Sequence, residues 1–297
     1  MEIPLNTQIA AKLKEMSELL RQQGANPFRV SAYQRAADSV LTLNQDLAEI
    51  FDREGEAGLV ALPDIGKGIA AAMGELITSG RWSQLERLRG TLNPELLFQS
   101  VPGIGPKLAH RIHDSLQIDT LEALENSAYD GRLEGVEGLG PRRVAAIRAS
   151  LAAMLRRTRR APSVAPAARP GVALLLDVDR EYRQQAAAGR LPLIAPRRFN
   201  PRGEAWLPVL HWEQGGWHFT AMYSNTARAH QLGRTQDWVV IYYYDDHHQE
   251  GQQTVVSETH GPLTGRRVVR GRERECRELY RAQMEPSAPT DTSRVKV

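Results

Sequence analysis

The residues with the clearest chemical potential form a glycine-rich stretch, VPGIGPKLA, at residues 101–109. Gly103 and Gly105 flank one apolar residue and an apolar helix start follows, so the pattern predicts a tight turn that opens a helix. Unpaired main-chain N–H groups at such a helix start attract an anion, and Lys107 adds a positive charge beside them. A single turn of this kind is weak support for a binding site, because tight turns often precede helices.

The same pattern occurs on both sides of this stretch. LPDIGKGIA at 62–70 lies 39 residues earlier, and VEGLGPRRV at 136–144 lies 35 residues later. Three near-regular copies predict an array of helix-hairpin-helix units, whose short helices stack on their neighbours. Main-chain donors at such turns grip phosphates without reading base sequence. The predicted phosphate-binding residues are the turn glycines and the basic residues after them: Gly66, Lys67, Gly68, Gly103, Gly105, Lys107, Gly138, Gly140, Arg142 and Arg143.

The first copy departs from the pattern, because Asp64 stands where the others have Gly103 and Gly138. A carboxylate there opposes an approaching phosphate, so we expect the second and third turns to bind phosphate better than the first. A purely structural repeat is the alternative, although a basic residue follows each turn. We expect no cofactor and no metal site, except that a monovalent cation could sit at a hairpin turn.

Charge is distributed unevenly along the 297 residues. Residues 1–155 contain 16 Lys and Arg against 20 Asp and Glu, whereas 156–170 contain five Arg and no acidic residue. Residues 171–297 contain 17 basic against 15 acidic residues. The helical repeats therefore have no broad positive surface, and we expect modest, salt-sensitive DNA affinity from local basic turns.

Composition also predicts the compartment. The sequence has no apolar run of about 18 residues, the length that a membrane-spanning helix requires. Its N-terminus lacks a signal-peptide pattern, and a single cysteine, Cys276, excludes an internal disulfide framework. We expect a cytoplasmic protein without a membrane partner.

Apolar spacing predicts helices throughout residues 1–155. The first, 7–23, has Asn6 or Thr7 as its cap, and the second, 31–43, follows a turn at Asn26 and Pro27 and exposes Arg29 and Tyr33. From residue 172 the pattern changes to five β-branched and aromatic runs that predict strands: VALLLDV, WLPVLHW, WHFTAMYS, WVVIYYYD and QTVVSE. Helices are predicted near 180–188, 226–232 and 272–284.

The predicted fold is therefore multidomain, with an all-α helix-hairpin-helix repeat domain followed by an α+β domain that has a mostly antiparallel sheet. The predicted divisions are a helical domain with the first hairpin at 1–90, two further hairpin units at 91–155 and a basic Pro/Ala/Arg linker at 156–171. An α+β domain of unknown role at 172–285 and a disordered tail at 286–297 follow.

Residues 1–155 resemble the N-terminal part of bacterial family X DNA polymerases. The resemblance rests on NPFRVSAYQRAA, LPDIGKGIAAAMGELITSG, VPGIGPKLA and GRLEGVEGLGPRR, which occur in the family's order and spacing. It implies that residues 1–90 are a lyase-like domain that binds the 5′-phosphate side of a DNA gap, with Arg29 and Tyr33 in the phosphate pocket. In lyase-active relatives a lysine attacks the sugar aldehyde, but Ala72 holds that position here and cannot form an imine. We predict no catalytic residue.

The polymerase half of that family is not evident after residue 155. LLLDVDREY offers Asp177 and Asp179 as an alternating pair, but two-metal chemistry needs a firmer cage than one such pair. A strand that ends in an aspartate cap before a helix explains both residues. The second half also resembles a domain that accompanies such repeats in bacterial proteins without an assigned activity.

A possible site in the second domain comprises histidines, arginines and one aspartate: His211, His230, Arg197, Arg198 and Asp237. The spacing is not diagnostic of a metal or hydrolase site, and histidines beside tryptophans on strands are more often packed residues. Arginines beside aromatic strands suit single-stranded nucleic acid, and ion pairing of these arginines is an equal alternative.

These patterns favour a sequence-independent DNA-binding protein that grips the backbone at gaps, nicks or branches in repair or end processing, and that is not a polymerase. Its DNA partner would be gapped, nicked or single-stranded, and the second domain would add a DNA contact or recruit a protein partner. The alternative is an end-processing enzyme, either a residual 5′-deoxyribose-phosphate lyase or a nuclease in the second domain. A third possibility is an interaction protein whose hairpins only support the fold.

Overall fold

A computed structural model describes residues 4–158, 169–245 and 250–284 of the chain. Most of the predicted linker, at 159–168, and the whole predicted tail lie outside these residues. The first half is helical, as predicted, and its helices are α1 Leu5–Gln22, α2 Pro27–Thr42, α3 Leu47–Glu54, α4 Glu56–Val60, α5 Lys67–Ser79, α6 Ser83–Leu88, α7 Pro94–Gln99, α8 Pro106–Leu116, α9 Leu121–Tyr129 and α10 Pro141–Thr158.

The first two helices begin earlier than predicted. Helix α1 begins at Leu5, and the Asn6 side chain instead accepts a hydrogen bond of 3.1 Å from the main-chain N–H of Leu47 at the start of α3. Helix α2 begins at Pro27, because Asn26 caps its N-terminus and proline suits a first helical position that needs no N–H donor. The predicted turn is thus the first turn of the helix.

Two hydrophobic cores hold the helical half together. The first gathers apolar side chains from α1 to α6, among them Leu13, Met16 and Met73, which are completely buried. The second lies between α7 and α10 and includes Phe98 and Ile147, also completely buried. Each pair of short helices buries its apolar face against a neighbouring pair, which is the packing that a helical repeat requires.

The second half is an α+β domain whose described strands form one antiparallel sheet in the order β1 to β6, as predicted in outline. Gly215 and Gly216 form the turn of the β2–β3 hairpin with φ of +62° and +76°. The elements are α11 Val172–Ala187, β1 Leu193–Ile194, β2 Leu207–Gln214, β3 Trp217–Tyr223, α12 Ala227–Gln231, β4 Val239–Tyr244, β5 Glu250–Ser257, β6 Arg267–Val269 and α13 Glu273–Met284.

The strand predicted for VALLLDV is wrong, because these residues belong to helix α11. Leu175, Val178 and Tyr182 recur at helical spacing and are completely buried against the sheet. A short apolar run fits either period, and here the longer stripe over 172–187 decides in favour of a helix. Strands β1 and β6 are short edge strands that were not predicted.

The sheet is buried on both faces, which explains the continuous apolar run of β4. Ile241 and Tyr243 pack on the face covered by α11 and α13, whereas Val240 and Tyr242 lie on the opposite face. That second face lies against the helical half, where the Arg87 guanidinium is 3.6 Å from the Tyr242 ring centroid. The two halves therefore pack together across the sheet.

Buried polar contacts join the halves. Asp119, in the loop after α8, accepts hydrogen bonds from Tyr242 at 2.5 Å and from His113 at 3.0 Å. Gln252 accepts from the main-chain N–H of Asp119 and donates to the carbonyl of Gln117. Although burial alone would raise the pKa of Asp119, the hydrogen bond and charge of His113 hold it below its ordinary value. The junction thus contains an ionised carboxylate, each oxygen of which accepts a hydrogen bond.

Candidate nucleic-acid interface

The three hairpin turns share one backbone conformation. Their first turn residue has a positive φ in every copy: +60° at Asp64, +89° at Gly103 and +86° at Gly138. The next residue is a buried aliphatic side chain that anchors the turn, namely Ile65, Ile104 and Leu139. An aspartate tolerates this left-handed conformation better than most side chains, so the first copy keeps the turn although it lacks the glycine.

Each turn leads directly into a helix whose N-terminus faces solvent. Gly66, Gly105 and Gly140 precede α5, α8 and α10 and are exposed. A Cβ atom added at any of the three would meet nothing within 4 Å. Among the described residues, the main-chain N–H groups of Gly105 and Lys107 have no acceptor. The second turn therefore presents donors, the positive end of a helix dipole and open space at one point.

Arginine side chains surround the third turn. Arg143 donates to the carbonyl of Gly138 at 3.1 Å. Arg111, from helix α8, also lies against this turn: a Cβ atom added to Gly138 would be 3.0 Å from the Arg111 Nη1 atom. Arg142 is exposed on the first turn of α10. Arg111 is not among the predicted residues, because only the packing of the second unit on the third brings it to this turn. The third turn thus has more positive charge nearby than its own motif indicates.

The first turn is electrostatically different. The Asp64 carboxylate accepts hydrogen bonds from Ser39 at 2.9 Å and from Arg35 at 3.3 Å, both on helix α2. The carboxylate is thus held beside the turn, and the Arg35 charge is already partnered. Lys67 is exposed at the start of α5. This geometry favours the second and third turns over the first for an anion.

Tyr33 is not exposed as predicted. Its side chain is 6% exposed and packs against Trp82, with ring centroids 5.7 Å apart. The buried stripe of α2 consists of Tyr33, Ala36, Ala37 and Val40. Ala72 is also buried, in the same core.

Arg29 lies at the boundary between the two halves. Its guanidinium is 5.3 Å from the Tyr244 ring centroid, and its Nη2 atom is buried without a hydrogen-bond partner. It lines a cavity of about 230 Å³ together with His211, Glu213 and His218 of the second domain. The residue that the resemblance placed in a phosphate pocket therefore faces a cavity whose other wall is the β2–β3 hairpin.

The comparisons agree with this geometry. Residues 4–82 match the model of a helix-hairpin-helix domain, and residues 95–153 match that of a SAM-like helix-hairpin-helix tandem. The first half consists of helix-hairpin-helix domains. It is similar to the DNA polymerase/3'-5' exonuclease PolX of Bacillus subtilis (strain 168), with 28% identity over 129 residues. That alignment covers 43% of this chain and 22% of the relative, so the chain matches about a fifth of that protein. The expected PolX-like N-terminal region is confirmed, and helix-hairpin-helix domains indicate DNA binding.

The structure does not bring the candidate residues of the second domain into one site. His211 donates from Nε2 to Gln23 at 3.0 Å and accepts at Nδ1 from Thr220 at 3.2 Å. Burial and the nearby Arg29 charge lower the pKa of His211 to about 3, so it is a neutral, fully bonded residue of the interdomain junction. Asp237 accepts from Arg267 at 2.6 Å in a separate cluster.

His230 and Arg198 lie together at a third location. His230 bonds Asn225 at 2.6 Å, and Asn225 donates to the carbonyl of Arg198 at 3.0 Å. The Arg198 side chain forms an ion pair of 3.1 Å with Glu95 of helix α7, which ties this part of the second domain to the second hairpin unit. The neighbouring Arg197 is exposed.

The aspartate pair is also separated. Asp177 and Asp179 lie on helix α11, where residues two apart point to different sides. Asp179 is 1% exposed and pairs with Arg267 at 2.6 Å, whereas Asp177 pairs with Arg180. Across the described residues no group of three or more His, Cys, Asp and Glu could hold a metal ion, and no helix there is long and apolar enough to span a membrane.

Proposed function

We propose that this protein binds DNA by its backbone phosphates at the second and third hairpin turns, without reading base sequence. One observation carries the proposal: each of the two turns has a left-handed glycine, Gly103 or Gly138, and then exposes the start of a helix, with open space beside the glycine that precedes that helix. Phosphate oxygens accept hydrogen bonds from such N–H groups and gain from the helix dipole. DNA offers phosphates at regular spacing, so two turns in one array can bind one backbone.

The second and third turns would contribute to phosphate binding in different ways. At the second, the donors are the N–H groups of Gly105 and Lys107, and the Lys107 side chain adds one exposed charge. At the third, Arg111 and Arg143 lie beside the turn. Main-chain contacts fix where the phosphate sits, and side-chain charges strengthen binding in a salt-dependent way. A monovalent cation at a turn stays an expectation.

We further propose that the preferred DNA contains a gap, nick or branch and that the process is DNA repair. The similarity of the first half to PolX supports this, as does the cavity at Arg29. A guanidinium whose Nη2 has no hydrogen-bond partner is suited to an anion, and a terminal phosphate is the anion that a break in DNA supplies. The negative charge of Glu213 on the cavity wall limits the attraction of an anion to Arg29. Contacts with Asn26 and His218 hold the Glu213 carboxylate in this position.

The test uses valine substitutions at the glycines that precede each helix. Gly105 has φ −88° and ψ 174°, which a β-branched residue adopts without strain, and its Cβ would contact nothing. Gly105→Val should therefore leave the fold intact and block only the approach of a phosphate. We expect a loss of DNA affinity of about tenfold or more, since hydrogen bonds to charged groups contribute about 1.5–3 kcal/mol each. Lys107→Ala should cost only about threefold, because one screened charge is lost.

The matched control is Gly66→Val in the first turn, where φ is −78° and the Cβ again meets nothing, but where Asp64 disfavours a phosphate. It should leave affinity nearly unchanged. Binding is measured by fluorescence anisotropy on gapped duplexes of two unrelated sequences, over a series of salt concentrations, with helical content checked by circular dichroism. Unchanged binding by folded Gly105→Val, or a strong preference for one of the two sequences, would refute the proposal.

A further inference from the structure

An exposed aromatic residue is held in a strained conformation on a loop of the second domain. Phe199 has φ +52° and is 47% exposed, between strands β1 and β2. This left-handed region is unfavourable for a bulky residue, and glycine or asparagine would adopt it more easily. Neither the strain nor the exposed ring contributes to the hydrophobic core, so the fold alone does not explain this side chain.

The loop that carries Phe199 is fixed at both ends. The main-chain N–H of Arg197 donates to the carbonyl of Gly90 in the helical half at 2.7 Å, and that of Trp206 donates to Ile194 at 3.1 Å. The Arg198 carbonyl accepts from Asn225, as described above. The position of the phenyl ring is therefore set by both domains before any ligand binds, which lowers the entropic cost of binding.

A second ring lies against Phe199. The imidazole of His230 is 4.5 Å from the phenyl centroid at an angle of 38°, and Trp206 contacts the same imidazole edge-on with centroids 6.4 Å apart. The hydrogen bond to Asn225 fixes the orientation of the imidazole. Burial and the Arg198 charge lower the pKa of His230, so the ring is neutral at neutral pH. The result is a small, preformed aromatic platform.

The surroundings of the platform are cationic. Arg197, two residues before Phe199 in the chain, is exposed and forms no ion pair with any of the described residues. Arg202, 84% exposed, has only a 3.7 Å contact with Glu204. Exposed arginines beside aromatic rings suit a chain of negative charges that also carries flat apolar groups, which describes an unpaired nucleic-acid strand.

The platform lies on the side of the second hairpin unit. Arg198 pairs with Glu95, and Glu95 also contacts His110 of helix α8 at 3.2 Å. His110 is three residues beyond Lys107, a rise of only about 4.5 Å along the helix. Phe199 is thus connected to the second turn through the side chains of Arg198, Glu95 and His110, and we expect a strand whose phosphate occupies that turn to extend toward the platform.

We propose that Phe199 and His230 form a stacking site for an unpaired base of the DNA strand that the hairpin turns hold. This inference rests on the proposed phosphate grip and adds the class of substrate: a duplex with an adjoining single-stranded segment. Every base has an apolar face, so the site tolerates any base. Its specificity is for unpaired over paired nucleotides, because a base within a duplex is already stacked.

The experiment compares a blunt duplex with the same duplex carrying a five-nucleotide overhang at either end, in the full chain. Wild type should bind the overhang substrate more tightly than the blunt duplex. Phe199→Ala should bind the overhang substrate about tenfold more weakly than wild type, because it loses one base–aromatic stack. Its affinity for the blunt duplex should not change. A 2-aminopurine base in the overhang gives a direct readout, because stacking on a ring quenches its fluorescence.

Three controls separate binding from folding. Leu232→Ala removes another exposed apolar side chain of the same domain and should change neither substrate. Phe199→Tyr keeps a ring and should keep the overhang preference. Phe199→Gly should raise the Tm by relieving the strained φ, while it loses the overhang preference. Equal affinity of wild type for both substrates, or no effect of Phe199→Ala, would overturn this inference alone. If wild type bound neither duplex, the proposed phosphate grip would be overturned as well.

Discussion

His211 links the stability of the protein to pH. The imidazole lies between Gln23 and Thr220, and burial together with the Arg29 charge lowers its pKa to about 3, against 6.5 for the free side chain. Between pH 6.5 and pH 3 the unfolded chain binds a proton at His211 and the folded chain does not. The free energy of unfolding therefore keeps its full value above pH 6.5 and decreases as the pH falls from 6.5 toward 3. Each pH unit in that window corresponds to about 1.36 kcal/mol. Between pH 7 and pH 5 the loss amounts to about 2 kcal/mol.

The perturbation is His211→Gln, which keeps hydrogen-bonding groups for Gln23 and Thr220 but cannot titrate. Free energies of unfolding are measured in urea at pH 7, 6 and 5 for both proteins. The other ionisable groups are the same in both, so subtracting the two pH profiles isolates the contribution of His211. The variant should be less stable than wild type at pH 7, and the difference should shrink by about 2 kcal/mol at pH 5.

Two results would refute this reasoning. One is a pair of parallel pH profiles, which would mean that His211 takes up no more protons in the unfolded chain than in the folded one. The other is an NMR resonance of His211 in the native protein that titrates near pH 6.5. Either would show that the imidazole is accessible to water and that the two halves are not packed together at this point.

Two further predictions concern the junction and the lyase position. Tyr242→Phe removes the hydrogen bond to the buried Asp119 carboxylate and should lower the free energy of unfolding by about 1.5–3 kcal/mol in urea denaturation, whereas Tyr129→Phe at an exposed ring should have no effect. Wild type should give no borohydride-trapped adduct with 5′-deoxyribose-phosphate DNA, because Ala72 is a buried methyl group, and Ala72→Lys serves as the gain-of-function control. A wild-type adduct that disappears in Lys67→Ala would contradict the second prediction.

The hairpin turns were predictable because their signals are local. Each turn is specified within nine residues by two small positions, a buried aliphatic residue and a helix start, and the structure shows the same φ pattern in all three copies. Even the exception at Asp64 was visible in the sequence. What could not be predicted is the partner of its carboxylate, since Arg35 and Ser39 lie on another helix.

The errors have a common cause in tertiary packing. VALLLDV reads as a strand by composition, whereas the helical spacing that continues to Tyr182 belongs to one helix, 172–187, packed against the sheet. Tyr33 was expected at the surface because it was placed in the first turn of α2, whereas α2 begins four residues earlier and Tyr33 lies in its second turn, on the buried face. Asp119 and Gln252, which meet in the junction, are 133 residues apart in sequence, and no local pattern links them. The position of the second domain on the first was therefore outside the reach of sequence reasoning.

The close crossing at Gly90 has a consequence for the order of folding. Gly90 has φ +74°, and a Cβ there would lie 2.7 Å from the carbonyl oxygen of Ala195, so the two backbones touch. Forming this contact closes a loop of about a hundred residues. Closing so long a loop is slower than the short-range pairing of successive helices or of neighbouring β-strands. Both halves can therefore acquire their local structure first and associate last. Until they do, the sheet face that includes Val240 and Tyr242 is open to water, and a chain arrested at that stage would be prone to associate with another copy.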